Sequence, residues 1–578
     1  MMFDPEADAL KDSDAHPRHS VAIIGGGIAG LTVAHELSRT GRFDITIYEQ
    51  KASIGGKARS VRLDDQNVGE HAMRVFLASY CALYTVMQEI PYESQTTYNN
   101  LVYSKFSLRY GKLDCSIDPK YTTFWNAIKK ALLISRFLHR AGVGMLEQIY
   151  FVYKIGRILW MTPSQVDTEM STLSFEDYMG GSSRSDAFRQ IVLRVPEMLV
   201  AAKRYASAAV AAPLLLEWYV GPFLKSRFHR LGFTSLNGPT SERFIDPWVE
   251  LLTKRGVRFC TNVRIAEIGE SARLIQNVTT HDNQTIKADI YVLAVQHNVL
   301  RALLDDRLKR LVPNLEDLLA LGEEWSNGVQ YFLKSIPPRW QRYVGRITVG
   351  IDTEWSLVFL ITTANELWND VPLPAGTVGV LSVVLSNSRV NGRKHHKPYI
   401  RCTADELLEE TLVQIGWDEL NAIGRRFIGP DLHYVEHRQF LVEQAQYAGW
   451  ATAAVPNENC SDADQVAVSD SQLYIRMPGN LSLEPENVTD VYNLFVAGEF
   501  TKTNFAKPTM EKACESGMRC AHAICLAHDV PYDVTRFTNS AVLPFGFLRT
   551  LKWRFFLFGF GVAVIVLLWI IIARTFIR

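Results

Sequence analysis

The 578-residue chain has no surplus of either charge, with 61 Lys and Arg against 61 Asp and Glu. That balance argues against a nucleic-acid binder, which carries a basic excess. Cysteine is scarce, eight in all, and no two stand as C-x-x-C. The tightest group, Cys514, Cys520 and Cys525, has no zinc or iron–sulfur spacing, so no metal site is expected and reduced, buried thiols are. No internal repeat or low-complexity tract interrupts the chain. The opening MMFDPEADALKDSDAHPRHS has no apolar core. It is not a signal peptide, and residues 1–19 are expected to be a disordered lead-in. Long apolar runs are missing until Phe555–Ala573, nineteen residues without a charge. As a helix that run nearly matches the roughly 30 Å of membrane hydrocarbon. Arg549, Lys552 and Arg554 precede it, and Arg574 and Arg578 follow. The expectation is a single-pass C-terminal anchor, with residues 534–554 as linker and the body on the cytoplasmic side.

What is present begins with VAIIGGGIAGLTVAHELSRTGRFDITIYEQKASIGGKARS, Val21–Ser60. Val21–Ile24 is a short β-branched apolar run and reads as a buried strand. Gly25, Gly27 and Gly30 follow as G-x-G-x-x-G, then Leu31–Arg39 with helical periodicity, with Gly41 placed to end it. Asp44–Glu49 is the next strand. In such a βαβ unit the first glycine makes the tight turn. The second admits a pyrophosphate to the backbone, and the third lets helix and strand pack closely. Glu49, at the end of the second strand, stands where a carboxylate accepts hydrogen bonds from ribose hydroxyls. The unit is expected to bind a dinucleotide. No second glycine-rich βα turn appears after residue 60, so a dedicated nicotinamide domain is not expected, and electrons would leave to oxygen, a quinone or a protein.

Acid, short spacer, then Gly55-Gly56-Lys57-x-x-Ser60 resembles the flavin-containing amine oxidase and phytoene (carotenoid) desaturase superfamily. In that family the second glycine pair approaches the FAD diphosphate and the basic residue contacts it. GVRFCTNVRIAEI, Gly256–Ile268, is similar to the family segment that lies on the adenine, with Val263 at the position that meets the base. ADIYVLAVQHNVLRALL, Ala288–Leu304, is similar to the strand that rejoins the FAD domain, with Gln296 and His297 where the family has a proline. NLFVAGEFTKTNFAKPTMEKACESGMRCAHAI, Asn493–Ile524, resembles the closing motif. It places Gly498 and Glu499 at the ribityl and pyrophosphate, and it opens a helix at Thr509 and Met510 toward the flavin. The resemblance implies FAD and an α/β fold. A Rossmann-type FAD-binding domain would be built from residues 20–100, 238–304 and 472–533. A mixed α+β substrate domain would come from 101–237 and 305–471.

For chemistry, GEHAMRVF (Gly69–Phe76) resembles the stretch after the FAD motif in the desaturases. Glu70, His71 and Arg74 are expected near the flavin, with His71 as a base or a substrate-orienting group and Arg74 beside it. A structural, hydrogen-bonded His71 is the competing reading. Phe124–Arg140 is amphipathic, with Phe124, Ala127, Ile128, Ala131 and Leu138 on one side and Lys129, Arg136 and Arg140 opposite. A second apolar stretch with basic residues between follows at Tyr150–Trp160. Such helices either lie on an anionic membrane or pack on their own domain. Trp355 and Trp368 are candidates for a pocket or for the core. Lys334 is the candidate for the lysine that amine oxidases place near the flavin. The expected function is dehydrogenation (desaturation) of an apolar isoprenoid or fatty-acyl lipid by a membrane-anchored FAD enzyme. An oxygen-dependent amine oxidase is the alternative, and a non-catalytic flavoprotein is a third.

Overall fold

The computed structural model describes residues 18–63, 68–70, 73–117, 124–158, 161, 163–220, 233–316, 318, 321–368, 370–436, 438, 461, 465–470 and 472–538. The apolar run 555–573 and the candidate base His71 lie outside the described residues, as do Leu159 and Trp160. Among the described residues no helix is long and apolar enough to cross a membrane. No group of them is arranged to hold a metal, and seven cysteines stand free of disulfides.

Two sheets organise the fold. The first is parallel and five-stranded, in the order Arg258–Cys260, Phe43–Tyr48, His19–Ile24, Ile290–Leu293, Leu494–Val496. Its strands are short and β-branched. Val21–Ile24 and Ile290–Leu293 are buried along their whole length, as expected of strands covered on both faces. The glycine-rich turn follows the central strand, so its helix, Ile28–Ser38, starts at the carboxyl edge of the sheet. That edge is where open α/β sheets bind ligands. Helix Met510–Ala527 follows the last strand of the same sheet. Gln296, where the family has a proline, takes a proline-like φ of −66° at the N-cap position of helix His297–Leu303.

The second sheet is seven-stranded and mixed. Its order is Ile423–Ile428, Asn327–Leu333, Gly379–Leu385, Leu357–Thr362, Arg346–Gly350, Lys105–Tyr110, Leu113–Ile117. The Arg346–Gly350 and Lys105–Tyr110 strands run parallel, and the other neighbours are antiparallel. A tryptophan-rich core lies on it. Trp325, Trp340, Trp355 and Trp417 all belong to that cluster. Trp355 is fully buried, and its indole N–H donates to the Val390 carbonyl at 2.9 Å. Trp368 packs in a smaller cluster with Phe332 and Val380. Both tryptophans therefore belong to the core. Lys334 stands exposed at the end of its strand. It follows Leu333, where the buried run ends, and does not line the cavity described below.

Candidate functional site

The glycines of the first turn divide into two kinds. Gly25 has φ +110°, a region that disfavours side chains, and an added Cβ would lie 2.4 Å from the Ala294 carbonyl oxygen. A Cβ on Gly30 would lie 2.1 Å from the Gly25 carbonyl oxygen and 3.2 Å from Ile23 Cγ2. These two glycines let the chain fold. Gly27 is different: its nearest neighbour would be Gly56 Cα at 3.8 Å. A Cβ on Gly56, at φ +56°, would lie 2.9 Å from Gly27 Cα, so the two glycines are closely apposed and only the Gly27 side-chain direction is open.

Glu49 braces this turn. Its Oε2 accepts from Gly26 N at 2.9 Å and its Oε1 from Lys51 N at 2.9 Å. Val263 N donates to the Glu49 carbonyl at 2.9 Å, which brings Val263 beside the turn. Helix Ile28–Ser38 has no side-chain cap, and neither has helix Met510–Ala527 behind Thr509. Uncapped N–H groups at a helix start are an anion site with a favourable dipole.

Both helix starts open on one cavity of about 530 Å³. Gly25, Gly27, Glu49, Gly55, Gly56, Lys57, Val263, Gly498, Glu499 and Met510 all line it, and Gly30 does not. Gly30 sits behind the turn, where its contribution is the close helix–strand contact. Lys57 Nζ makes a short contact with Glu499 Oε1 and donates to the Gln472 carbonyl at 3.2 Å. The Lys57 carbonyl in turn accepts from Arg74 Nη2.

Arg74 lines the cavity, and its buried Nε has no hydrogen-bond partner among the described residues. Burial lowers its pKa, opposed by Glu70 and Asp431. Glu70 itself is not on the cavity wall. Its carboxylate accepts from Ser60 Oγ at 2.6 Å, Thr240 N at 2.7 Å and Thr240 Oγ1 at 3.0 Å. The sequence expectation that Glu70 faces the flavin gives way to a buried staple between the paired strands Ser60–Arg62 and Val68–Glu70 and the helical turn that starts behind Thr240.

One group has no signal in the sequence. Lys51 Nζ bonds Asp431 Oδ1 and Asp470 Oδ2, each at 2.9 Å, and Arg59 Nη2 bonds Asp431 Oδ1 at 2.6 Å. Lys51, Arg59, Asp431 and Asp470 all line the cavity. They tie the segment carrying the second glycine pair to loops hundreds of residues away. Glu511, next to Met510, is equally hidden in the sequence. Its carboxylate takes the backbone N–H groups of Cys81, Ala82 and Leu83 at 2.7, 2.8 and 2.9 Å, the start of helix Ala82–Glu89. Burial raises its pKa to about 7 in spite of those donors.

The wall contributed by helix Val195–Val200 and the second sheet is of another character. Met198, Leu199, Val200, Ile347, Val358 and Val384, all with apolar side chains, line it there. Ser326 and Ser386 add two hydroxyls. The cavity thus has a polar, glycine-lined half with two helix dipoles and an apolar half.

These features fit a dinucleotide whose diphosphate needs close backbone approach and whose ring system needs an apolar neighbour. The chain is similar over short stretches to tryptophan 2-monooxygenase of Agrobacterium tumefaciens (strain Ach5). The two are 32% identical over 155 residues, 25% of this chain and 20% of that protein. It is similar also to zeta-carotene desaturase of Zea mays, 34% identical over 89 residues, 15% of each chain. These matches span a fifth or less of the relatives' own lengths. Solved structures of putrescine oxidase bound to putrescine and of cyclohexylamine oxidase from Brevibacterium oxydans IH-35A share the fold. Their TM-scores are 0.55 and 0.52 at 13% and 14% identity, covering 88% and 89% of this chain and 99% of each of theirs. The sequence model for flavin containing amine oxidoreductase matches residues 28–525. The protein is an FAD-dependent oxidoreductase and belongs to the flavin-containing amine oxidoreductase family.

Proposed function

We propose that this protein dehydrogenates an apolar, lipid-like substrate, an isoprenoid or a fatty-acyl chain, and passes the electrons to oxygen or a quinone. FAD, when bound, supplies the hydride acceptor. Residues 20–100, 238–304 and 472–533 hold it in this reading, and 101–237 with 305–471 shape the substrate site. Gly27, Gly55, Gly56 and the two helix starts take the diphosphate and ring, Glu49 the ribose, Val263 the base, and Lys57 with Glu499 the middle of the cofactor.

The observation that carries the reading is the uncharged wall of Met198, Leu199, Val200, Ile347, Val358 and Val384. Each methylene buried there is worth about 0.8 kcal/mol. An ammonium placed against it would lose its hydration with no carboxylate to replace it. The cavity carboxylates Glu49, Asp431, Asp470 and Glu499 already hold backbone N–H groups or cations. The similarity to zeta-carotene desaturase supports the same choice. Without a base on that wall, the chain's work is to orient one C–H bond and exclude water. An oxygen-dependent amine oxidase is the second reading. It is favoured by Arg74, whose guanidinium on the cavity lining suits an anionic group carried by a substrate. The test is anaerobic bleaching of the purified flavoprotein. Bleaching by a membrane lipid extract containing polyenes and isoprenoids is expected. Bleaching by a panel of amines alone would replace the first reading with the second.

The proposal places the body at a membrane, held by residues 555–573 on the cytoplasmic side. Helices Phe124–Arg140 and Met145–Ile158 support it. The buried side of the first carries Ile134, Phe137 and Leu138, while Lys129, Arg136 and Arg140 are exposed. Leu146 is 81% exposed on the second, with Val152 and Tyr153 also out. Basic side chains beside bare apolar ones suit an anionic bilayer surface. Deleting 555–578 is expected to remove the need for detergent. Salt-sensitive binding to phosphatidylserine vesicles should survive that deletion and drop at least about fivefold in R136E/R140E, since each basic residue contributes about 1 kcal/mol near such a surface. Equal binding to neutral and anionic vesicles would remove the helices from the account.

A further inference from the structure

Behind Met510 lies a buried ionic cluster. Lys512 Nζ donates to Glu484 Oε1 at 2.8 Å, and neither side chain is exposed. Glu484 also accepts from Arg476 Nε at 2.7 Å, Arg476 Nη2 at 2.6 Å and the Tyr474 hydroxyl at 2.7 Å. Lys512 Nζ stands 5.1 Å from the centre of the Tyr474 ring. Two cations therefore share one carboxylate in a place closed to water. Burial lowers the Lys512 ammonium to about 8, with Glu484 opposing, and the 2.8 Å contact to the Glu484 carboxylate has the geometry of a charged pair.

The next carboxylate that Lys512 feels is Glu499, and Glu499 is already held by Lys57. The region as a whole carries Lys57, Arg476 and Lys512 against Glu484 and Glu499. Among these five groups the cations outnumber the carboxylates by one, and the adjacent Glu511, its pKa raised by burial to about 7, offsets that charge only in part. A buried surplus cation is unfavourable for the fold, and an apolar residue in place of Lys512 would leave Glu484 with Arg476 and Tyr474. Lys512 is the third residue of its helix, and both Met510 and Ala513 line the cavity.

We propose that Lys512 is a tuning residue whose buried positive charge favours reduced over oxidised FAD, so that a poor hydride donor can reduce the enzyme. The inference rests on the reading above that places the reacting end of FAD at this helix start. Transfer of a hydride from a substrate C–H to a neutral oxidised ring adds one negative charge there. The electron pair and the hydrogen come from the broken C–H bond, and the second proton of the new C=C leaves to solvent. Lys512 gives and takes nothing. Its charge, and the helix dipole with it, makes the added negative charge more stable. A weakly activated C–H of an apolar chain gains most from that shift.

The test is the midpoint potential of the full-length holoenzyme, measured against a reference dye in detergent. K512M is expected to lower the ratio of reduced to oxidised flavin about tenfold, a fall of about 30 mV for a two-electron couple. K512R, which keeps the charge, is expected to stay at the wild-type value. An unchanged potential in K512M overturns the proposal, as does an equal fall in K512R, which would mark a packing effect. Weaker binding of oxidised FAD by K512M at an unchanged potential would assign Lys512 to the diphosphate and also overturn it. The potential is readable even if no tested substrate bleaches the flavin, so this proposal and the substrate reading fail separately.

Discussion

Gly27→Val is expected to give a folded protein that does not retain FAD. The backbone at Gly27 is extended, φ −79° and ψ −177°, which any residue adopts. Its added Cβ meets nothing closer than Gly56 Cα at 3.8 Å. The fold therefore loses only the difference between glycine and valine at a helix N-cap, about 1 kcal/mol. The side chain itself enters the cavity that Gly27 lines, where the diphosphate must reach the N–H groups at the start of helix Ile28–Ser38. Several charge-assisted hydrogen bonds are lost together there, each worth about 1.5–3 kcal/mol. A loss of FAD affinity of at least about 100-fold follows. Gly30→Ala is the contrast. Its Cβ would lie 2.1 Å from a backbone oxygen that cannot move without opening the turn. Overpacking of that kind costs about 1–3 kcal/mol or more, so its melting temperature should fall clearly, whatever its flavin content. Titrating each apoprotein with FAD and recording its thermal melt separates the two. Stoichiometric flavin in Gly27→Val would falsify the placement of the diphosphate over these glycines.

That contrast also shows what could be read from the chain alone. The strand, glycine turn, helix and acid of Val21–Glu49 are local, so their spacing carries their geometry. The division of labour among the glycines is not local, because it depends on Ala294 and Gly56 arriving from elsewhere. Glu49 reads as a ribose acceptor, yet it also holds Gly26 N, a contact visible only once the turn is built. Asp431 and Asp470 reach Lys51 across 380 and 419 residues of sequence, and nothing near them marks the pairing. The second-sheet strands announce themselves by apolar runs. Those runs do not say that Val358 and Val384 face a cavity while Phe359 and Val383 pack in the core. Lys512 reads as an unremarked helical residue, since its partner Glu484 lies 28 positions upstream. Glu70 misleads because Met73, Arg74 and Val75 a few positions on do line the site, while its own carboxylate turns away to Thr240.

Replacing Arg536 with methionine is expected to cost about 3–5 kcal/mol, the scale for breaking one partner out of a buried ion pair. Arg536 lies in the short helix Thr535–Thr538, the last described element before the chain continues toward the apolar run. It grips Glu36 with two bonds of 2.7 Å and Glu89 with bonds of 2.7 and 3.0 Å. Without it, the buried Glu36 keeps only the Tyr532 hydroxyl, at 3.0 Å, of the partners seen here. Glu89 also holds Arg39 at 2.6 Å and His35 Nε2 at 2.8 Å. The tautomer of His35 follows from its other side. Trp248 can only donate, and its indole N–H points at His35 Nδ1 at 3.1 Å. Nδ1 therefore accepts, and Nε2 carries the hydrogen given to Glu89. Burial lowers the His35 pKa, which keeps this neutral form. For Glu89, burial pushes upward, but the hydrogen bonds from His35 and Arg536 prevail and hold its carboxyl well below the usual carboxylate range. A depressed acid stabilises the fold above its ordinary pKa of about 4.3 and loses that contribution as pH falls. In Arg536→Met the depression shrinks, so the deficit against wild type should be largest at neutral pH and narrow toward pH 3. Thermal melts across that range check the sign, and limited proteolysis near residue 535 checks the place. A deficit that widens toward acid would mean that Glu89 is not the group Arg536 holds. A deficit near zero at neutral pH would mean that the strap closing the body before its apolar tail is held by Tyr532 and Phe537 instead.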